Sequence, residues 1–165
     1  MDRARALWWR RACRRPDDRP QLTVPDQPFR LLPRLTPETE PFWTGGAEGA
    51  LRFWRCQSCG YWLHPPGPIC PECLSKELAV EAVSGDAVLH TCTVNHQSWY
   101  PGLDPPYVVA IVELPEQAGL RLTTNLVGCA PEEAVIGMAL HVTFEQYEDV
   151  WLPFFAPAGS AEGGS

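Results

Sequence analysis

The sequence predicts a mainly β protein: a short N-terminal helical segment, a metal-bound ribbon and a small closed barrel. Three observations predict it. Four cysteines stand as two CxxC pairs, Cys56-Gln57-Ser58-Cys59 and Cys70-Pro71-Glu72-Cys73, separated by ten residues. Apolar runs of strand length follow, divided by turn residues. The 18 prolines and 13 glycines favour turns, loops and short strands over a helical protein.

The chain of 165 residues allows one ordinary domain or two small modules sharing an interface. A hydrophobic content of 45% is enough for a core. No apolar run approaches the roughly 20 residues that span a bilayer, so no membrane span is expected. Charge is unevenly spread. Residues 1–34 hold nine Arg against four Asp, whereas residues 35–165 hold four basic and sixteen acidic side chains.

Residues 1–34 read as a poorly ordered Arg/Pro-rich extension. Arg10-Arg11 and Arg14-Arg15 do not form a twin-arginine signal, because no apolar stretch follows. Thr36-Pro37-Glu38-Thr39-Glu40 reads as a helix start, with Thr36 as cap and Pro37 in the first helical position. The helical segment covers 35–50, and Phe42 and Trp43 give it a large apolar contact. Leu51–Arg55 alternates like a strand leading into Cys56.

The ribbon covers 51–79. A CxxC turn places two sulfurs on one metal, and two such turns complete a tetrahedral shell, so Cys56, Cys59, Cys70 and Cys73 are assigned to one structural Zn²⁺. Gly60 suits the left-handed position after the first pair, and Pro71 stiffens the second turn. Two alternatives are weighed. A disulfide framework suits a small secreted chain, and no signal peptide is seen. A redox CxxC normally stands alone beside a βαβ pattern. Thiolates holding zinc imply a reducing cytoplasmic compartment.

Residues 80–158 read as β throughout. Val80 to Val94 is one long strand with a bulge or bend at Gly85-Asp86. Tyr107–Leu114 and Leu120–Val127 form a hairpin through 115–119. Pro131–Ala134 gives one helical turn. Leu140, Val142 and Phe144 point inward on the next strand, and Val150-Trp151-Leu152 is the last. Five short strands closing on themselves suit an OB-type barrel. Residues 159–165 form a flexible tail.

Several segments together resemble the acyl-CoA-associated zinc-ribbon/OB-fold proteins, long catalogued as a domain of unknown function. They are Thr36–Trp43, Cys56–Gly60, Pro65-Pro66, Cys70–Cys73, Val83-Ser84-Gly85, Asp104–Ala110, Thr124–Gly128 and Ile136-Gly137-Met138. The resemblance runs from about Leu35 to Ala158. It implies a rubredoxin-like ribbon and an accessory, non-catalytic subunit. Members accompany thiolase-fold enzymes: thiolases, hydroxymethylglutaryl-CoA synthases and lipid-transfer-protein-like aldolases. Some are fused to, or partnered with, a hot-dog-fold enoyl-CoA hydratase. They help to shape the partner's acyl-CoA site.

Other candidates are weaker. His64, between the CxxC pairs, is superfluous to a shell of four thiolates. His96, Trp99 and Tyr100 lie in a turn-rich loop after the first barrel strand, a place where OB folds often bind ligands. With Phe42 and Trp43 they are the candidate contacts for a partner or a CoA chain. His90 and His141 read as solvent-facing strand residues. Cys13, Cys92 and Cys129 are isolated, with no base in reach by sequence.

A single-stranded nucleic-acid-binding role is the main alternative, since ribbons and OB folds both occur in such proteins. The folded part has only Arg52, Arg55, Lys76 and Arg121 to track phosphates, which argues against it. A stand-alone thioesterase or hydratase lacks a legible acid/base set.

Overall fold

The structure, a computed structural model, describes residues 31–99 and 104–159. Expectations for Cys13, for Tyr100, for nearly all of the extension and for the tail beyond Gly159 lie outside the described residues.

Helix α1 (Glu40–Thr44) runs into a 3₁₀ turn at Gly45–Glu48. The helix begins later than the sequence suggests. The Thr36 carbonyl accepts from the N–H groups of Thr39 and Glu40, at 3.0 and 2.8 Å, and so closes a turn before the helix. Thr39 takes the N-cap position, and Pro41, not Pro37, occupies the first helical turn. Gly49, at φ 68°, closes the segment with its N–H on the Gly45 and Gly46 carbonyls. Gly46 has a packing role: a Cβ there would lie 2.4 Å from Trp151 Cβ and 2.6 Å from Phe144 Cδ1. The turn is pressed against the barrel at a distance only glycine allows.

The ribbon sheet has three antiparallel strands in the order β2-β1-β3: β1 (Arg52–Cys56), β2 (Trp62–Leu63) and β3 (Leu78–Ala82). The single strand expected from Val80 to Val94 is therefore two strands in two sheets. Residues 78–82 pair with β1, from Cys56↔Leu78 to Arg52↔Ala82. Val83 then donates to the Leu51 carbonyl at 2.9 Å, and Gly85 (φ 83°) turns the chain into the barrel.

The barrel is closed, in the order β4-β5-β6-β8-β7. Its strands are β4 (Asp86–Asn95), β5 (Tyr107–Glu113), β6 (Arg121–Leu126), β7 (Ala139–Tyr147) and β8 (Val150–Pro157). β7 pairs with β4 to complete the circle, and β6 meets β8 in parallel at Leu126↔Phe155. This is a five-stranded OB-type barrel.

The bulge in the first barrel strand is at His90, not at Gly85-Asp86. Pairing with β5 shifts between Leu89 and Thr91. Ala87 and Leu89 face the core before it, Cys92 and Val94 after it, and His90 and Thr91 both face outward. One extra residue thus changes the phase of the alternation. The last strand is also longer than expected, eight residues in place of three. Pro153 lies within it, and its carbonyl accepts from the Thr124 hydroxyl at 2.8 Å.

One apolar core serves ribbon and barrel together. Leu51, Phe53 and Trp62 of the ribbon pack with Leu89, Val112, Leu122, Leu140 and Phe155 of the barrel. A smaller cluster around Cys56, Leu63 and Cys70 supports the cysteine end. No helix of the described residues is long and apolar enough to cross a membrane.

Candidate functional site

The two CxxC pairs form two facing knuckles. In the first, β1 delivers Cys56, whose N–H donates to the Tyr61 carbonyl at 2.8 Å. Gly60, at φ 82°, returns its N–H to the Cys56 carbonyl at 2.9 Å. The second has the same pattern: Cys70 N–H to Ser75 carbonyl at 2.9 Å, and Leu74 N–H to Cys70 carbonyl at 3.0 Å. Here, though, a leucine holds the left-handed position, at φ 60°. The Ser58 and Ser75 hydroxyls, 2.8 Å apart, join the two turns.

All four sulfurs lie within 4.8 Å of one another. Cys56–Cys73 and Cys59–Cys70 are separated by 3.6 and 3.5 Å. A tetrahedral zinc with Zn–S bonds of about 2.3 Å spaces its sulfurs about 3.8 Å apart, whereas a disulfide needs about 2.05 Å. The tetrad therefore fits a metal and not two disulfides. Cys56 and Cys70 are buried, and Cys59 and Cys73 lie outward.

Without a cation, the four sulfurs resist sharing negative charge. The Cys59 N–H pulls the Cys56 thiol down to about 6, against burial, with help from Ser58 N–H and neighbouring thiols. Cys59 accepts from Tyr61 N–H, yet burial and the other three thiols push it up to about 12. Cys73 is also raised: Ser75 N–H favours its thiolate, but burial, Cys56 and Cys70 outweigh it. A divalent cation removes this conflict by compensating several thiolates at once.

His64 takes no place among these sulfurs. Its ring stacks on Phe42 at 5.3 Å and meets Phe53 edge-on at 4.9 Å. Burial lowers its pKa. Phe42 is partly buried, and these ring contacts tie the helix to the ribbon. Trp43 is half-buried and edge-on to Phe42 at 4.6 Å. His96 is exposed. Trp99 is 68% exposed, with its indole N–H on Asn95 Oδ1 at 3.0 Å.

Cys92 and Cys129 are half-buried and packed against the core. Burial, and then Glu133, raises the Cys129 pKa, so this thiol stays neutral. His141 faces outward as expected, with Nδ1 2.8 Å from Asp86 Oδ1.

One group of residues was not visible in the sequence. His90, Glu113 and Arg121 meet at one end of an otherwise apolar groove of about 660 Å³ between β4, the β5–β6 hairpin and residues 136–137. They are 31 positions apart, and no local spacing signals their meeting.

With that geometry in view, family models match the ribbon and most of the barrel. The ChsH2 rubredoxin-like zinc ribbon domain matches residues 43–79, and the ChsH2 C-terminal OB-fold domain matches 80–145. A DUF35 domain-containing scaffold protein of Methanocaldococcus jannaschii is 36% identical over 97 residues, 58% of this chain and 67% of that protein. The chain belongs to the DUF35 family. A DUF35 protein is also seen in a solved structure, the Ltp2-ChsH2(DUF35) aldolase. This chain overlays it with a TM-score of 0.70 at 35% identity, covering 77% of this chain and 99% of that one. A probable enoyl-CoA hydratase alpha subunit of Thermomonospora curvata is 34% identical over 151 residues. The match covers 91% of this DUF35 chain but 47% of that relative, so the chain spans about half its length.

Proposed function

We propose that this chain is a non-catalytic scaffold subunit of an acyl-CoA-processing complex, docked on a thiolase-fold or lipid-transfer-protein-like enzyme. The observation that carries this reading is the overlay on nearly all of the DUF35 chain of the Ltp2-ChsH2 aldolase. The partner enzyme makes or breaks the bond. This chain supplies a rigid surface that helps to form the acyl-CoA site. Trp43 and the loop bearing His96 and Trp99, with Tyr100 beside it, are the proposed contacts.

The metal in this reading is one Zn²⁺ held by Cys56, Cys59, Cys70 and Cys73. It supplies structure alone: four thiolates close its shell and leave no position for a substrate. Its thiolates fit a reducing, cytoplasmic compartment.

The name of the Thermomonospora relative supports a second partner, an enoyl-CoA hydratase, for which the family resemblance implies a hot-dog fold. Co-purification and assay separate the two. The chain is to be co-expressed with each candidate enzyme from its own host. Near-equal co-elution, with activity that rises when this chain is present, supports the reading and picks the partner. Failure of both enzymes to bind or respond overturns it.

A further inference from the structure

The groove at β4 and the β5–β6 hairpin has an apolar wall and a polar end. Val88 from β4, Pro115 and Ala118 from the hairpin and Ile136 from the turn before β7 form the wall. Val88 and Ile136 stay 47% and 67% exposed. The turn is fixed in place: Met138 N–H donates to the Val135 carbonyl at 3.0 Å, and Gly137 N–H to the Leu89 carbonyl at 2.8 Å. Gly137 sits at φ 90°, so the turn holds Ile136 over the groove.

At the polar end both Glu113 oxygens are occupied. Oε2 accepts from Arg121 Nε at 2.7 Å, and Oε1 from Gly119 N–H at 3.2 Å. The Arg121 bond, with Gly119 N–H, holds this carboxylate ionised by lowering its pKa. The bulge places His90 Nδ1 3.7 Å from the same Oε2. What remains for a visitor is therefore the Arg121 Nη donors, with His90 Nε2 beside them, which donates or accepts according to the ring tautomer. These have no hydrogen-bond partner among the described residues, and their side chains are 47% and 42% exposed. Arg121 is also the sole Lys or Arg after Lys76 in the sequence. The barrel's single strong cation thus stands at the end of an apolar groove.

We infer that this groove binds a small amphipathic molecule with an aliphatic body and one carboxylate head. The head meets Arg121 and His90, and the body lies along Val88, Pro115 and Ile136. The groove volume lies within the roughly 300–1,000 Å³ typical of small-molecule sites, with few polar groups fixing orientation. One cation, its Nε already paired with Glu113, has Nη donors for one anionic head and not for a phosphate chain. This inference goes beyond the subunit role and does not depend on it.

The probe is decanoate, titrated below its micelle concentration into the full metal-loaded chain and followed by two-dimensional NMR. Decanol serves as the neutral match. The expected result is saturable one-site binding with shifts centred on Val88, His90, Arg121 and Ile136. Arg121→Gln lowers decanoate affinity about tenfold or more and leaves decanol unchanged. Ile136→Ser, in an exposed turn, weakens both ligands and guards against misfolding of the first variant. Shifts that never saturate or that centre elsewhere overturn the inference. So does equal binding of decanol and decanoate. None of these outcomes bears on co-purification with an enzyme.

Discussion

The side-chain amide of Gln117 exchanges two hydrogen bonds with the main chain of Trp62. Its Oε1 accepts from Trp62 N–H at 2.8 Å, and its Nε2 donates to the Trp62 carbonyl at 3.2 Å. A barrel hairpin thereby acts as one residue of a fourth ribbon strand. Beside it, Glu116 Oε1 accepts from Ser84 N–H at 2.6 Å. The ribbon edge and the interdomain turn are held by neighbouring residues of one hairpin.

Gln117→Ala strips two partners from a buried main chain and is expected to cost about 1–3 kcal/mol, read as a lower urea midpoint at unchanged slope. Gln117→Glu keeps the acceptor and loses the donor. A Gln117→Ala chain as stable as the parent would show the clamp to be idle.

Metal analysis is expected to give about one zinc per chain. Cys59→Ser or Cys70→Ser breaks the shell, and the protein should fold poorly, because metal binding and ribbon folding are coupled. Near-ultraviolet circular dichroism after chelation checks whether the barrel aromatics loosen as well. Unaltered spectra would separate barrel stability from the metal.

Leu74 occupies the left-handed position that Gly60 holds in the other knuckle, and it is 70% exposed. Such a conformation costs a branched residue about 1–2 kcal/mol, partly offset by the greater unfolded freedom of glycine. Leu74→Gly is therefore expected to stabilise the protein, by about 0.5–1 kcal/mol. The reverse change, Gly60→Leu, should destabilise it. Thermal melts of the two metal-loaded variants check the opposite signs.

Gly46→Ala puts a methyl group where Trp151 and Phe144 already stand. Overpacking of this kind costs about 1–3 kcal/mol. The expected outcome is a lower melting temperature with loss of tryptophan shielding. A neutral result would mean that the helical segment lifts from the barrel without penalty.

His64 is buried and its folded pKa lies below the ordinary 6.5. The unfolded chain therefore binds more protons than the native one just below that value. Stability from this group is full above about 6.5 and falls as pH drops toward the folded pKa. His64→Phe should flatten this part of the pH profile, and the difference from the parent isolates it from acid loss at the thiolates. Identical profiles would show that His64 is not the group that titrates.

The tetrad was legible because its signal is local: CxxC spacing fixes two ligands per turn. The barrel strands were legible from alternation and turn residues. What was hidden depends on distant contacts. Residues 80–82 look like the start of a barrel strand, and only pairing with β1 assigns them to the ribbon. Pro153 argues locally against a strand, yet β7 pairs with β8 across it, at Phe144↔Pro153. The helix start was ambiguous because Thr36-Pro37 and Thr39-Glu40-Pro41 offer nearly the same local chemistry. His90 reads as an ordinary surface histidine until the bulge turns it toward Glu113.

The shared core has a consequence for how the protein is made. Cys73, the last of the four thiols, precedes every barrel strand, so the knuckles leave the ribosome first and can take up metal while the barrel is still unsynthesised. Leu51, Phe53 and Trp62 then lack the barrel side of their packing until β4 to β8 arrive. The order of translation thus lets the ribbon form before the barrel that shares its core.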